Sequence, residues 1–169
     1  MARAPIILED FDSSWSEKFE VEKEHLYSLI GDWNFGGVEH VGSTAVEGMV
    51  AKPVIDVMFG VKSLVESRPA ITVLSNNGYE YWPYKEEVMH WFCKPSDAFR
   101  THHLHLIPYQ SELWNQRIKF RDILRNNPKV AAEYAKLKRD LASKYRNDRE
   151  AYTDLKWPFI QSIIQAPAC

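Results

Sequence analysis

Lys52-Pro-Val-Ile-Asp-Val-Met-Phe-Gly-Val61 sets one carboxylate, Asp56, in the middle of a dense β-branched and apolar run. An ionised side chain seldom sits in such a run alone, so Asp56 needs a metal, a cation or a ligand. Upstream, Gly42-Ser43-Thr44 follows a short apolar stretch containing Val38 and His40. A tight turn there exposes backbone N–H groups and hydroxyls, which suits a phosphate, although ordinary capping uses the same residue types. Downstream, Thr101-His-His-Leu-His105 puts His103 and His105 on one face of an extended segment and His102 and Leu104 on the other. Two imidazoles with one carboxylate favour Zn²⁺, Mn²⁺ or Fe²⁺ over Mg²⁺, while a single imidazole could act as a general base near neutral pH. Hydrogen bonding at a sheet edge would explain the same histidines. Arg117, Arg121 and Arg125 recur every four residues, a helical stripe that could clamp phosphates or pair with Glu112 and Asp122. Lys52 could neutralise Asp56 or a phosphate.

The elements that must position these groups are legible from periodicity. Ser14 and Glu17 have the form of a capping box, and Trp15, Phe19, Glu22, Leu26 and Ile30 then fall near one face, predicting a helix from about Ser14 to Gly31. Val38 to His40 and Lys52 to Val61 read as strands, the second with Asp56 and Met58 on one face and Ile55, Val57 and Phe59 on the other. A helix entered near Pro69 stops at Asn76-Asn77-Gly78. Tyr79 to Tyr84, Val88 to Lys94 and Thr101 to Ile107 add strands, giving a mainly antiparallel set. Their aromatics, Tyr79, Tyr81, Trp82, Tyr84, Trp91 and Phe92, could stack a base but are expected mostly in the core. After Pro108 the apolar residues repeat with helical period, with N-terminal signals at Asn127-Pro128 and Asp148, and Pro158 is expected to kink or restart the last helix. Strands followed by helices imply an α+β fold: a small mixed sheet with an N-terminal helix and a C-terminal helical layer, forming one domain over residues 1–169.

Four blocks occur in order: Glu39-His-Val-Gly-Ser-Thr-Ala-Val-Glu-Gly48, Lys52-Pro-Val-Ile-Asp56, Thr101-His-His-Leu-His105 and Phe120-Arg-Asp-Ile-Leu-Arg125. Together they resemble the GrpB-like family, itself similar in fold to the nucleotidyltransferase superfamily. The match extends more loosely through Tyr134, Lys138, Tyr152 and Lys156, over roughly residues 10 to 163. The resemblance implies that Gly42 and Ser43, with Thr44, hold the phosphates of a nucleoside triphosphate. It implies a divalent metal, Mg²⁺ or Mn²⁺ with Zn²⁺ as an alternative, on Asp56, with His103 and His105 completing the metal and catalytic set. Lys52, Arg121 and Arg125 would neutralise phosphate charge. The superfamily places a second carboxylate two residues after the first, and here that position is Met58. A thioether is a poor substitute where Mg²⁺ prefers hard oxygen ligands.

Composition narrows the classes further. The 169 residues are 45% hydrophobic and 26% charged, which excludes a disordered or low-complexity chain. No apolar run approaches the length of a membrane span and no signal peptide is evident, so a cytoplasmic address is expected. Cys93 and Cys169 form no metal or disulfide spacing, and neither is expected to be catalytic. Residues 1–110 hold 9 Lys or Arg against 16 Asp or Glu, while residues 111–169 hold 12 against 7. That split argues against an extended nucleic-acid surface but allows a local basic wall facing an anionic ligand. There is no Walker A loop, dinucleotide-binding glycine pattern or Gly-x-Ser-x-Gly elbow. The expected activity is nucleotidyl transfer from a nucleoside triphosphate to an unknown acceptor. The alternatives are a degenerate module that binds a nucleotide or other phosphorylated small molecule without turnover, and a metal-dependent hydrolase.

Overall fold

A computed structural model describes residues 4–167, so Cys169 lies outside the described residues. The N-terminal helix α1 (Ser14–Ile30) is followed by strand β1 (Val38–Val41), a 3₁₀ turn (Ser43–Ala45) and strand β2 (Ile55–Val61). Helices α2 (Leu64–Ser67) and α3 (Pro69–Ser75) lead to strands β3 (Glu80–Trp82), β4 (His90–Pro95) and β5 (Arg100–Pro108). Helices α4 (Glu112–Asn126), α5 (Pro128–Lys144) and α6 (Arg149–Gln165) complete the order. The five strands form one mixed sheet, β1-β2-β5-β4-β3. Among the described residues, no helix is long and apolar enough to cross a membrane.

The strand alternation sorts the residues onto two faces. Ile55, Val57, Phe59, Leu104 and Leu106 pack against Trp15, Leu26, Ile30 and Leu74 of α1 and α3. Val41, Met58, Cys93 and Ile107 point the other way and pack on Trp114 of α4. A third cluster, Leu124, Tyr134 and Phe159 with Val46 and Met49, ties the three C-terminal helices to the segment after the 3₁₀ turn. Each fully buried large apolar side chain contributes about 1.5–3 kcal/mol, so these clusters fix where the site residues stand.

Several local expectations are revised. The capping box does not form: Ser14 is already the first helical residue, and the Asp12 carboxylate accepts its N–H at 2.8 Å. Strand β2 begins at Ile55 because Lys52 to Val54 are held in a turn by a Val54 N–H to Lys52 carbonyl bond. The sheet is mixed and mainly antiparallel as expected, with the one parallel pairing between β2 and β5. Helix α6 runs through Pro158 without restarting. The carbonyl that loses its intrahelical partner there, on Asp154, belongs to an exposed residue, where solvent can satisfy it. The Asn127 and Asp148 caps form as expected, accepting from Val130 N–H and Ala151 N–H. Of the aromatics, Tyr79, Trp91 and Phe92 are buried, whereas Trp82 and Tyr84 stay exposed.

Candidate functional site

The parallel register sets Asp56 beside His103, and Met58 beside His105, on the face turned toward the C-terminal helices. Asp56 Oδ1 receives hydrogen bonds from both imidazoles, from His103 Nδ1 at 3.1 Å and from His105 Nε2 at 3.4 Å. Two arginines decide the protonation. Arg117 donates to His105 Nδ1 at 2.8 Å, and Arg100 points Nη1 at His103 Nε2 at 3.5 Å. A guanidinium has no acceptor, so each ring carries its proton on the nitrogen that faces Asp56. Burial, the largest influence on both rings, pushes His103 down and His105 down to about 3, helped at His105 by Arg117. Burial pushes Asp56 up, but the bonds from the two imidazoles outweigh it and hold the carboxylate well below its usual range.

Gly42 brings the turn over this carboxylate. It sits at φ +75°, and a Cβ there would lie 2.5 Å from Asp56 Oδ2, so no side chain fits. Ser43, Lys52, Asp56, His103, Lys138 and Lys156 line a cavity of about 200 Å³ between the sheet and helices α5 and α6. Lys138 is buried, with 1% exposure, and donates to Ser43 Oγ at 2.8 Å and to the Val50 carbonyl. Lys156 and Lys52 lie over the Tyr152 ring, at 4.4 and 5.3 Å from its centroid. Burial lowers the pKa of all three amines, to about 6 at Lys138 and about 7 at Lys156, and the neighbouring cations lower Lys138 further. The cavity therefore gathers three amines, Lys138 buried and Lys52 and Lys156 half-buried, against a single carboxylate that already accepts two hydrogen bonds.

Not every expected residue comes here. Thr44 borders the cavity, but its hydroxyl meets His40 Nε2 at 2.9 Å, and burial keeps that imidazole neutral with a pKa of about 4. Arg121 pairs with Glu39 at 2.6 Å and Asp122 at 2.9 Å and donates to the His40 carbonyl, tying α4 to β1. Arg125 donates to the Ala45 carbonyl at 2.8 Å. The member of the arginine stripe that reaches the histidines is Arg117. Lys138 and Lys156 were the residues that spacing alone missed. Their signal was a Tyr-x-x-x-Lys repeat, Tyr134 with Lys138 and Tyr152 with Lys156, each lysine stacked on its own tyrosine.

Asp56, His103 and His105 offer one ligand atom each within 4.8 Å, a group that could hold a metal ion. One carboxylate with two imidazoles suits Zn²⁺ or Mn²⁺ better than Mg²⁺. Their proton placement does not fit a resident ion. Both imidazoles turn N–H groups, not lone pairs, toward Asp56, and the protons could move to the outer nitrogens only against Arg100 and Arg117.

A mixed sheet with a Gly-Ser turn, a strand carboxylate beneath it and a helical layer closing the cleft defines a nucleotidyltransferase-like fold. The crystal structure of the Cid1 poly(U) polymerase with MgGTP bound shares that fold at a TM-score of 0.51 and 14% identity, over 78% of this chain and 42% of that one. The GrpB protein family model matches residues 5–166, and the chain belongs to that family. It is 36% identical to the glutamate-rich protein GrpB of Alkalihalophilus pseudofirmus, over 96% of this chain and 95% of that one. The crystal structure of the conserved protein GrpB from Enterococcus faecalis superposes at a TM-score of 0.84 with 30% identity, covering 94% of this chain and 95% of that one.

Proposed function

We propose that the cleft binds the phosphate chain of a nucleoside triphosphate or another phosphorylated small molecule, and that the reaction carried out on it is nucleotidyl transfer to an acceptor. The observation that carries the reading is the convergence of Lys52, Lys138 and Lys156 on one cavity beside the Gly42–Ser43 turn. Amines drawn partly or wholly out of solvent without matching carboxylates are costly, and an anionic ligand offsets that cost while the turn adds N–H and hydroxyl groups. The fold shared with a poly(U) polymerase that binds MgGTP supports a nucleotide as the ligand. A second reading, binding without turnover, is favoured by Met58, fully buried where the superfamily would place its second carboxylate. Asp56 keeps the two neutral imidazoles in place and leaves its remaining oxygen under the turn.

Calorimetric titration with ATP, GTP, CTP and UTP, each with Mg²⁺, Mn²⁺ or Zn²⁺, tests the reading. Wild type is expected to bind at least one nucleotide, and Lys156→Met to bind it at least tenfold more weakly. Absence of binding by every nucleotide with every metal overturns the nucleotide and its transfer, and absence of binding by inorganic pyrophosphate and tripolyphosphate as well overturns the phosphate site. Incubation of labelled nucleotide with a cell extract separates the two readings: a labelled acceptor that disappears with Asp56→Asn supports transfer, and tight binding without any labelled product supports the binding module.

A further inference from the structure

The contact between Ser43 and Lys138 is more specific than phosphate neutralisation requires. Lys138 is enclosed by the C-terminal helices and the turn, and among the described residues no ion pair holds it. The groups that lower its pKa beyond burial are cationic, Lys156 from α6, Arg139 on α5 and Lys52 before β2, while the Tyr134 ring lies 4.9 Å away and Asp56 lines the same cavity. A neutral amine has two N–H donors and one lone pair. The Val50 carbonyl takes one donor, and Nζ lies 2.8 Å from Ser43 Oγ, donating to it as an ammonium and, once neutral, close enough to accept the hydroxyl proton. The hydroxyl itself opens into the cavity, beside Lys52 and Lys156. Burial and the surrounding cations lower the pKa of the amine to about 6, which favours its neutral form above that pH. A serine with a buried amine as base, facing a cationic pocket, has the parts of an activated nucleophile.

We propose that Ser43 is a nucleophile and Lys138 its proton acceptor, so that the protein forms a covalent Ser43 ester with the α-phosphoryl group of a bound nucleotide. The inference rests on the reading that the cleft takes a nucleotide, and it names the first chemical step. Ser43 Oγ attacks the α-phosphorus, and the Oγ–P bond forms as the bond from that phosphorus to the bridging oxygen breaks. Pyrophosphate leaves with the electron pair, and the hydroxyl proton passes to Lys138 Nζ. Lys52 and Lys156 face the charge that gathers on the phosphoryl oxygens. Attack on the ester phosphorus by an acceptor hydroxyl would complete a two-step transfer: the Oγ–P bond breaks, Lys138 returns its proton to Ser43 Oγ, and the acceptor's own proton passes to solvent.

Two probes test the step independently. A fluorophosphonate reports on an activated serine without needing a nucleotide site, and an α-labelled nucleoside triphosphate reports on the ester itself. The expected result is a fluorophosphonate adduct mapped to Ser43 by peptide mass spectrometry, absent in Ser43→Ala and formed at least tenfold more slowly in Lys138→Arg. The rate in wild type should rise as pH passes about 6. A nucleotidyl adduct at the same residue completes the case. Circular dichroism verifies that each variant is folded; if the Lys138 variants are not, Ser43→Ala and the wild-type pH profile decide. No adduct with either probe, in protein that binds nucleotides calorimetrically, overturns the nucleophile and leaves the binding reading intact. An adduct formed equally fast in folded Lys138→Arg overturns Lys138 as the proton acceptor.

Discussion

Strand β5 sends His102 to one face of the sheet and His103 and His105 to the other, and buried charge is treated differently on the two sides. Beneath α1, Glu22 is enclosed by its own partners: Lys94 donates at 2.6 Å, the Tyr79 hydroxyl donates to the other oxygen, and His102 stands 3.6 Å away. That cluster is closed, with one carboxylate, one ammonium and neutral donors in balance. Beneath α5 and α6, Lys52, Lys138 and Lys156 surround a cavity in which the carboxylate, Asp56, is already committed to two imidazoles. A charge cluster that balances itself is a structural device, whereas one whose amines outnumber its carboxylates around an open volume is suited to an anionic ligand. The difference separates the two faces more sharply than burial does, since each cluster mixes buried with half-buried side chains.

The largest expected effect breaks the closed side. Glu22→Gln leaves the Lys94 ammonium without its counter-charge and should cost about 3 kcal/mol of stability. Nucleotide affinity should stay within twofold of wild type, because Glu22 lies on the far face. Urea denaturation at pH 7, paired with calorimetry on the folded variant, checks both; a cost under about 1 kcal/mol would mean that the cluster is no more than a surface pair.

The open side answers through pH. Lys138 and Lys156 have folded pKa values near 6 and 7, below the ordinary lysine value of 10.5. Between these limits the unfolded chain binds more protons, so stability rises with pH across that window and is lost as pH falls toward the folded values. Each lysine contributes a slope of up to about 1.4 kcal/mol per pH unit. His105, lowered from 6.5 to about 3, adds a slope of the same sign below pH 6.5. Urea denaturation at pH 7, 8 and 9 should therefore show stability climbing in wild type and climbing less steeply in Lys138→Met, where Lys52 and Lys156 remain. A flat profile in wild type would mean that these amines are solvated or paired, and the contrast between the faces would fail.

How far the sequence revealed this contrast depended on how local each signal was. The faces of β2 and the caps at Asn127 and Asp148 follow from strand alternation and from hydrogen bonds three residues long, and both were legible. The same alternation put Asp56, His103 and His105 within reach of one another. The parallel pairing that joins β2 to β5 was not legible, because it is set by packing across a connection of nearly forty residues whose pattern reads equally well as antiparallel. The buried lysines were hidden for a related reason. A lysine on a helix reads as solvated unless the apolar neighbours around it are known to close over it, and at Lys138 they come from the turn after β1 as well as from α5. The arginine stripe was legible as a spacing, but spacing does not reveal that Arg117 is the member that reaches His105 while Arg121 reaches Glu39 on β1.

That stripe gives the smallest and most discriminating test. Arg125 is exposed, and its Nε–H bonds the Ala45 carbonyl at 2.8 Å, so Arg125→Ala should cost only about 1 kcal/mol and leave nucleotide affinity unchanged. Its position in the same motif block as Arg121 argues for a phosphate contact, and its bond to Ala45 argues for a brace between α4 and the turn. The two roles leave different marks. A brace lowers stability and is indifferent to ligand, whereas a phosphate contact leaves stability nearly untouched and weakens nucleotide binding tenfold or more. Calorimetry and urea denaturation on the one variant distinguish them. If binding falls while stability holds, the cationic wall extends from α5 and α6 onto α4, and the open face is wider than the lysine cavity alone.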